Sequence, residues 1–124
     1  SKACPLFVPI IEEGLADHEV SKIMIEEYLD SLIKNKIHAL ILGCTHYPIL
    51  FNQISSYLSK DIKIINSAYV VASYTKEYLN ENVEQNQVLP TTKLYLTDES
   101  QHFNIFATKF LNNDFDYIKK INLF

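Results

Sequence analysis

The sequence predicts an α/β fold with alternating strands and helices and a mainly parallel sheet. Short apolar runs alternate with segments in which apolar residues recur at helical spacing, an order typical of parallel strands joined by crossover helices. The run 37–42 is apolar except for His38, as expected for a strand buried on both faces. The composition agrees, because 48% hydrophobic and 21% charged residues in 124 are ordinary for a globular chain.

The first half of the chain contains a predicted helix, a strand and a second helix. The first helix covers 17–36, with Asp17 as its N-cap. Its apolar positions are Val20, Ile23, Met24, Tyr28, Leu32 and Ile33. The strand 37–42 follows and ends at Gly43. The second helix begins at Pro48, because a proline's missing N–H is tolerated in a first turn, and continues to about residue 60. Its predicted apolar face comprises Leu50, Ile54, Tyr57 and Leu58.

The second half continues the alternation. Residues 62–65 form a predicted strand, and Asn66 or Ser67 caps a third helix. The apolar face of that helix comprises Val70, Val71, Tyr74, Tyr78 and Leu79. Residues 80–87 are polar and predict a loop. The remaining predicted elements are a strand at 93–97, a helix capped by Ser100 that carries Phe103, Phe106, Ala107, Phe110 and Leu111, and a strand at 117–121. We expect the aromatic side chains of both late helices to belong to the core.

Composition and charge exclude several functional classes. The chain has 11 basic and 15 acidic residues, so its net charge of −4 argues against binding nucleic acid. No apolar stretch approaches the roughly 20 residues that cross a bilayer. Two cysteines, Cys4 and Cys44, are too few for a disulfide framework, which favours a location in the reducing cytoplasm. We expect Cys4 to be a small buried residue. No second Cys/His pair has zinc spacing, so we expect no metal site. The scattered residues are Cys4, His18, His38 and His102.

The segment 42–48 (Leu-Gly-Cys-Thr-His-Tyr-Pro) carries the chemistry. It leaves a predicted buried strand and enters a helix, and ligands of open α/β sheets bind beyond the carboxyl ends of the strands. A helix start favours anions and the thiolate of Cys44. If the segment is extended, Cys44 and His46 project to one side, and Thr45 adds a hydroxyl and an N–H. The alternative is that Cys44 is a buried core residue.

Four segments resemble glutamate racemases of bacteria. The run 42–50 resembles the signature around the second catalytic cysteine of that family, and its Gly-Cys-Thr-His-Tyr-Pro sequence is highly specific. Residues 3–14 resemble the family segment that precedes this signature. Residues 64–68 and 94–112 resemble its later segments, in the same order. The resemblance covers nearly all of the chain and implies the fold of the aspartate/glutamate racemase family.

The resemblance also implies a mechanism and a site. Glutamate racemases interconvert L- and D-glutamate without a cofactor or a metal, using two cysteines on opposite faces of the α-carbon, and they supply D-glutamate for peptidoglycan. Cys44 would be the second catalytic cysteine, and His46 would assist it. Thr45 and Cys44 would bind the substrate. Glu12 would orient the imidazole and favour its charged form, with Glu13 as the alternative in the neighbouring register.

Two family motifs have no counterpart in this sequence. These are an Asp-Ser-Gly motif and a first cysteine followed by Asn-Thr-Ala, both from the N-terminal half of the family. The resemblance therefore implies an incomplete racemase, with residues 1–66 in the second domain and 67–124 returning to the first. We expect such a chain to need the missing N-terminal half and to be inactive alone. Two alternatives stay open. The first is a non-catalytic subdomain that self-associates, for example as a homo-oligomer of this chain. The second is a thiol redox sensor that uses Cys44.

Overall fold

A computed structural model of the chain describes residues 1–82, 91–98, 103–111 and 115–122, leaving out the side chains of 104–106 and 109. The chain divides into two compact units, Ser1–Glu84 and Gln85–Phe124. The predicted assignment of 1–66 and 67–124 to two racemase domains refers to a larger protein and stays a prediction. The α/β class with parallel strands is confirmed, with the strands in two small sheets.

The first unit follows the predicted alternation of helices and strands. Its elements are α1 (Phe7–Glu12), α2 (Glu19–Lys34), β1 (Ala39–Leu42), a 3₁₀ turn (Tyr47–Leu50), α3 (Phe51–Tyr57), β2 (Lys63–Asn66) and α4 (Ser67–Asn82). The sequence pattern does not predict α1, because this helix contains Pro9 and follows Pro5. Pro9 is the third residue of α1, where a backbone N–H has no helical partner, so the proline removes no hydrogen bond.

Strands β1 and β2 bring their carboxyl ends to the same edge of the first sheet. They pair in parallel from Ala39 opposite Lys63 to Leu42 opposite Asn66. The segment that follows Leu42 therefore emerges beside the junction of β2 and α4. The expected burial of β1 on both faces is wrong, because Ile41 is 65% exposed in the described structure. A parallel strand is buried on both faces only when other elements cover both sides of the sheet.

The core of the first unit lies where α1, α2, the 3₁₀ turn and α3 meet. Buried residues lie three or four positions apart in α1 and α2, so each of these helices buries one face, and the 3₁₀ turn and α3 each add one buried residue. Near the core, Cys4, Ala16 and Leu42 are buried as well. The buried helical residues are Phe7, Ile10, Ile11, Ser21, Ile25, Leu29, Leu50, Ile54 and Leu58.

Two predictions about α2 are wrong. His18, not Asp17, is the N-cap, because its Nδ1 accepts a hydrogen bond of 3.3 Å from the N–H of Val20. The Asp17 carboxylate instead accepts one of 2.6 Å from the amide of Gln53. The buried face is also rotated, since Ile23 is 56% exposed while Ser21 is fully buried. Ser21 tolerates burial because its hydroxyl is hydrogen bonded to the carbonyls of Leu15 and Ala16.

Helix α4 begins as predicted and ends later. The side-chain oxygen of Asn66 accepts a hydrogen bond of 3.1 Å from the N–H of Tyr69, which confirms Asn66 as a cap. Residues 80–82 belong to the helix, so the predicted loop is wrong there, and its residues 83–87 lie outside the described structure. The prediction that Tyr74 and Tyr78 belong to the core is wrong, because no residue of α4 is buried.

The second unit contains β3 (Lys93–Leu96), α5 (Phe103–Leu111) and β4 (Tyr117–Lys120). The strands pair in parallel, and a 2.7 Å hydrogen bond joins the hydroxyls of Tyr95 and Tyr117. Of the predicted core aromatics, Phe110 is exposed and Phe103 is half-buried, while Ala107 is buried. The predicted cap Ser100 and the side chain of Phe106 lie outside the described part.

Candidate functional site

The candidate site is the loop that joins β1 to the 3₁₀ turn. In this loop Cys44 is half-buried and Thr45 is exposed. His46 adopts the right-handed helical region, with φ −88° and ψ −34°, and residues 44–46 form a bend. The expectation of an extended stretch is therefore wrong, because an extended chain would need ψ near +135°. The alternation of side chains in a strand does not apply to Cys44 and His46.

Glu12 approaches this loop from the end of α1. Its Oε1 lies 3.3 Å from Nε2 of His46, although the two residues are far apart in sequence. Helix α1 ends at this point because Gly14 adopts a left-handed conformation, with φ +73°, which glycine accepts without steric cost. The contact identifies Glu12, rather than Glu13, as the carboxylate that faces the imidazole.

The imidazole of His46 has a polar neighbour at each nitrogen. Nε2 faces Glu12, and Nδ1 lies 3.2 Å from the hydroxyl oxygen of Thr45. Nε2–H can donate to the carboxylate, and the direction of the hydrogen bond between Nδ1 and the hydroxyl depends on the tautomer of the imidazole. The carboxylate, imidazole and hydroxyl form a polar chain next to Cys44 in sequence.

Tyr47 anchors the other end of the loop, and the sequence analysis gave it no role. Its hydroxyl donates a 3.3 Å hydrogen bond to the carbonyl of Cys4. Its ring packs edge-on against Phe7, with centroids 5.3 Å apart. Burial raises the pKa of Tyr47, which keeps its hydroxyl available as a donor. The signal that could have revealed Tyr47 is an aromatic residue with a polar tip inside a motif loop.

The two cysteines lie in different environments. Cys4 is buried, as expected, and its sulfur lies 3.7 Å from the carbonyl of Lys2. Burial raises the pKa of the Cys4 thiol, against the opposing effects of Lys2 and Tyr47, so Cys4 is held as a thiol. Cys44 is partly accessible, and both cysteines are free thiols in the structure. Of the two, only Cys44 is placed to meet a ligand from solvent.

The β2–α4 junction borders the same edge of the sheet. Asn66 pairs with Leu42, and the hydroxyl of Ser67 donates a 2.7 Å hydrogen bond to the carbonyl of Leu42. This bond fixes the start of α4 against the residue that precedes the loop. Sequence reasoning treated Ser67 only as a possible cap, because its contact with Leu42 is long-range and leaves no local pattern.

The polar groups of the site open to solvent rather than into a cavity. A largely apolar cavity of about 540 Å³ lies nearby, between β1, α2 and the segment before α1, and Gly43 and Tyr47 line its edge. Cys44, Thr45, His46 and Glu12 are not among its lining residues. Within the described ranges, no three His, Cys, Asp or Glu side chains are grouped to hold a metal ion. In the same ranges, no helix has the length and apolar character to cross a membrane.

The chain is similar in sequence to curated glutamate racemases. No family model matches it. The curated glutamate racemase of Chlorobaculum parvum is 40% identical over 124 residues, which cover 98% of this chain and 46% of the relative. The chain matches the C-terminal part of glutamate racemase. The glutamate racemase of Sulfurihydrogenibium sp. is 45% identical over 103 residues, covering 83% of this chain and 38% of the relative. The chain thus spans less than half the length of these relatives.

Solved glutamate racemase structures share the fold of the chain. The enzyme of Francisella tularensis, in complex with D-glutamate, is 33% identical and matches with a TM-score of 0.84, over 99% of this chain and 46% of its own. The enzyme of Thermus thermophilus, in complex with β-chloro-D-alanine, is 32% identical with a TM-score of 0.80, over 98% of this chain and 47% of its own. The predicted racemase-like, incomplete fold is confirmed.

Proposed function

We propose that the chain is the C-terminal part of a glutamate racemase and supplies one side of its catalytic site. The observation that carries this proposal is the polar chain of Glu12, His46 and Thr45, which is adjacent in sequence to Cys44 and follows the carboxyl end of β1. Support comes from the relatives named glutamate racemase and from the likeness to a solved racemase that binds D-glutamate.

In the proposed mechanism, two cysteines exchange protons with the α-carbon of glutamate from opposite faces. One cysteine, as a thiolate, removes the α-proton, and the other, as a thiol, donates a proton to the opposite face, so the configuration inverts. Cys44 takes one of these roles, and His46 assists its proton transfer while Glu12 orients the imidazole. Thr45 binds the carboxylate or the amino group of the substrate. The second cysteine comes from the N-terminal half of the enzyme.

The same proposal places the protein in its cellular setting. The enzyme works in the reducing cytoplasm without a cofactor and supplies D-glutamate for the peptidoglycan of bacteria. Its partners are glutamate and the N-terminal half, which covers the solvent-open side of the loop and excludes water from the reacting atoms. Without that half, the chain has only one of the two cysteines and does not racemise glutamate.

Exchange of the α-proton of glutamate in D₂O, followed by NMR, tests the proposal. In a complete racemase that carries this chain as its C-terminal part, we expect Cys44→Ser to reduce exchange by at least about 10³-fold, as the loss of a general acid–base group does. Cys4→Ser is the matched control, with folding checked by circular dichroism, and we expect it to retain most of the activity. Unchanged exchange in Cys44→Ser would remove Cys44 from catalysis.

A second candidate is a non-catalytic subdomain that self-associates. It is favoured by the apolar residues that α4 presents to solvent, since exposed apolar surface of this kind marks an interaction site. These residues are Tyr69, Val70, Val71, Tyr74, Tyr78 and Leu79. Racemisation by the complete protein that is lost in Cys44→Ser would exclude this candidate, whereas self-association of the isolated chain is expected under both candidates.

A further inference from the structure

Phe7 lies between two tyrosines that make nearly equivalent contacts. The ring centroids of Tyr28 and Tyr47 lie 5.2 and 5.3 Å from that of Phe7, both in edge-on geometry. Each hydroxyl is hydrogen bonded to the backbone just before or at the start of α1. The N–H of Leu6 donates to Tyr28 at 3.4 Å, and Tyr47 donates to the carbonyl of Cys4 at 3.3 Å.

The two tyrosines differ in what they are attached to. Tyr28 belongs to α2, whereas Tyr47 directly follows His46 and begins the 3₁₀ turn at the end of the candidate loop. Through these neighbours the loop contacts both ends of α1. Tyr47 reaches Cys4 and Phe7 at its start, and His46 reaches Glu12 at its last residue. The six residues of α1 span only about 9 Å, so the first attachment restricts where the second can form.

We propose that Tyr47 is a positioning residue of this site, which holds the loop against α1 so that His46 meets Glu12. The carbonyl of Cys4 also accepts the N–H of Phe7 at 3.1 Å, so it belongs to the first turn that leads into α1. The hydroxyl of Tyr47 therefore bonds to the start of the helix that carries Glu12. The assignment to racemase chemistry rests on the proposed function, but the contacts themselves do not.

Labelling of Cys44 with a chromogenic aromatic disulfide tests this role on the chain itself. In a Cys4→Ser background only Cys44 reacts, and its rate reports how firmly the loop is held. We expect Tyr47→Phe to accelerate labelling about fivefold, the factor for losing one ordinary hydrogen bond. Tyr28→Phe removes the equivalent hydroxyl on the other side of Phe7 and should leave the rate nearly unchanged. Circular dichroism checks that both variants are folded.

The contact between His46 and Glu12 supplies a second, spectroscopic readout. Tyr47→Phe should weaken the nuclear Overhauser effect between the His46 ring and the Glu12 side chain, and Tyr28→Phe should preserve it. In a complete racemase, Tyr47→Phe should lower kcat about tenfold with a smaller change in KM, because it misplaces a reacting group. Inactivity of the complete wild-type protein would overturn the proposed function, and the labelling and NMR results would still decide the role of Tyr47. Equal effects of the two substitutions, or no effect of Tyr47→Phe, would overturn that role.

Discussion

Helices α1 to α3 and helix α4 have similar apolar spacing and opposite burial. In α1 and α2, residues three or four apart are buried, and α3 buries Ile54, with Ile25 and Ile54 each 1% exposed. In α4, every member of a comparable set is exposed, with Tyr74 at 68% and Leu79 at 48%. Spacing therefore tells which side of a helix is apolar, whereas burial requires another element to pack against that side.

The difference indicates where the missing contacts lie. The helices α1 to α3 pack together with the 3₁₀ turn, so this region forms a core within the chain. The solved racemase structures that match the chain extend over about twice its length. The free energy of unfolding of the isolated chain then comes mainly from the core of α1 to α3, which we call the packed region. The tendency of the isolated chain to self-associate depends on α4.

The largest expected effect is a difference in the free energy of unfolding between two leucine substitutions. Leu50 is 0% exposed and Leu79 is 48% exposed. We expect Leu50→Ala to lower the free energy of unfolding by about 3 kcal/mol, from lost burial and the cavity that remains. Leu79→Ala removes the same atoms from α4 and should change it by less than about 0.5 kcal/mol. Urea denaturation followed by circular dichroism measures both values.

Similar losses in both variants would break the comparison, because they would mean that α4 packs its apolar face in the isolated chain. A small loss for Leu50→Ala alone would instead mean that α1 to α3 do not form the stable core. The two substitutions share their chemistry, so differences in side-chain type do not enter.

The second prediction concerns the apolar surface of α4. Tyr74 is 68% exposed at the middle of this surface. We expect the isolated chain to self-associate through it, and Tyr74→Lys to weaken association at least about tenfold, as loss of a central aromatic anchor does. Light scattering over a concentration series measures the change. Ile23→Lys places the same charge on the exposed side of α2 and should leave association unchanged, so an equal effect would assign it to net charge.

The sequence predicted most of the local structure and the loop that carries the candidate site. Parallel strands, the cap at Asn66 and the run of Cys44, Thr45 and His46 follow from residue type and spacing. The contact between Glu12 and His46 was expected from the family resemblance alone. Residue spacing carries no information on it, because α1 and the loop are separated by α2 and β1.

The errors have a common physical cause. His18 caps α2 and Ser21 lies in the core because each finds a hydrogen-bond partner, at Val20 for the first and at Leu15 and Ala16 for the second. Periodicity counts apolar residues and cannot weigh such partners. Tyr74 and Tyr78 were expected in the core because they fall on the apolar face of α4. They are exposed because no described element covers that face. Local pattern predicts the element, and tertiary contacts decide its environment.

The smallest expected effect is a change in the pH dependence of stability, and it depends on the buried thiol of Cys4. Burial raises the pKa of the Cys4 thiol in the folded chain. In the unfolded chain the thiol ionises near its ordinary pKa of about 8.5. Below that pH both states are protonated, and the contribution of Cys4 to stability is fully present. As pH rises further, the unfolded state loses its proton first, so the free energy of unfolding falls until the folded thiol also ionises.

Cys4→Ala should therefore flatten the decline of stability above about pH 8.5, where the thiol of the unfolded chain begins to ionise. Urea denaturation between neutral pH and pH 10 measures the slope. Leu29→Ala is the control, because it removes a buried apolar side chain and should lower stability by a similar amount at every pH. An unchanged slope in Cys4→Ala would contradict the prediction. It would mean that water reaches Cys4 in the folded chain, and that the segment before α1 is less firmly packed than α1 to α3.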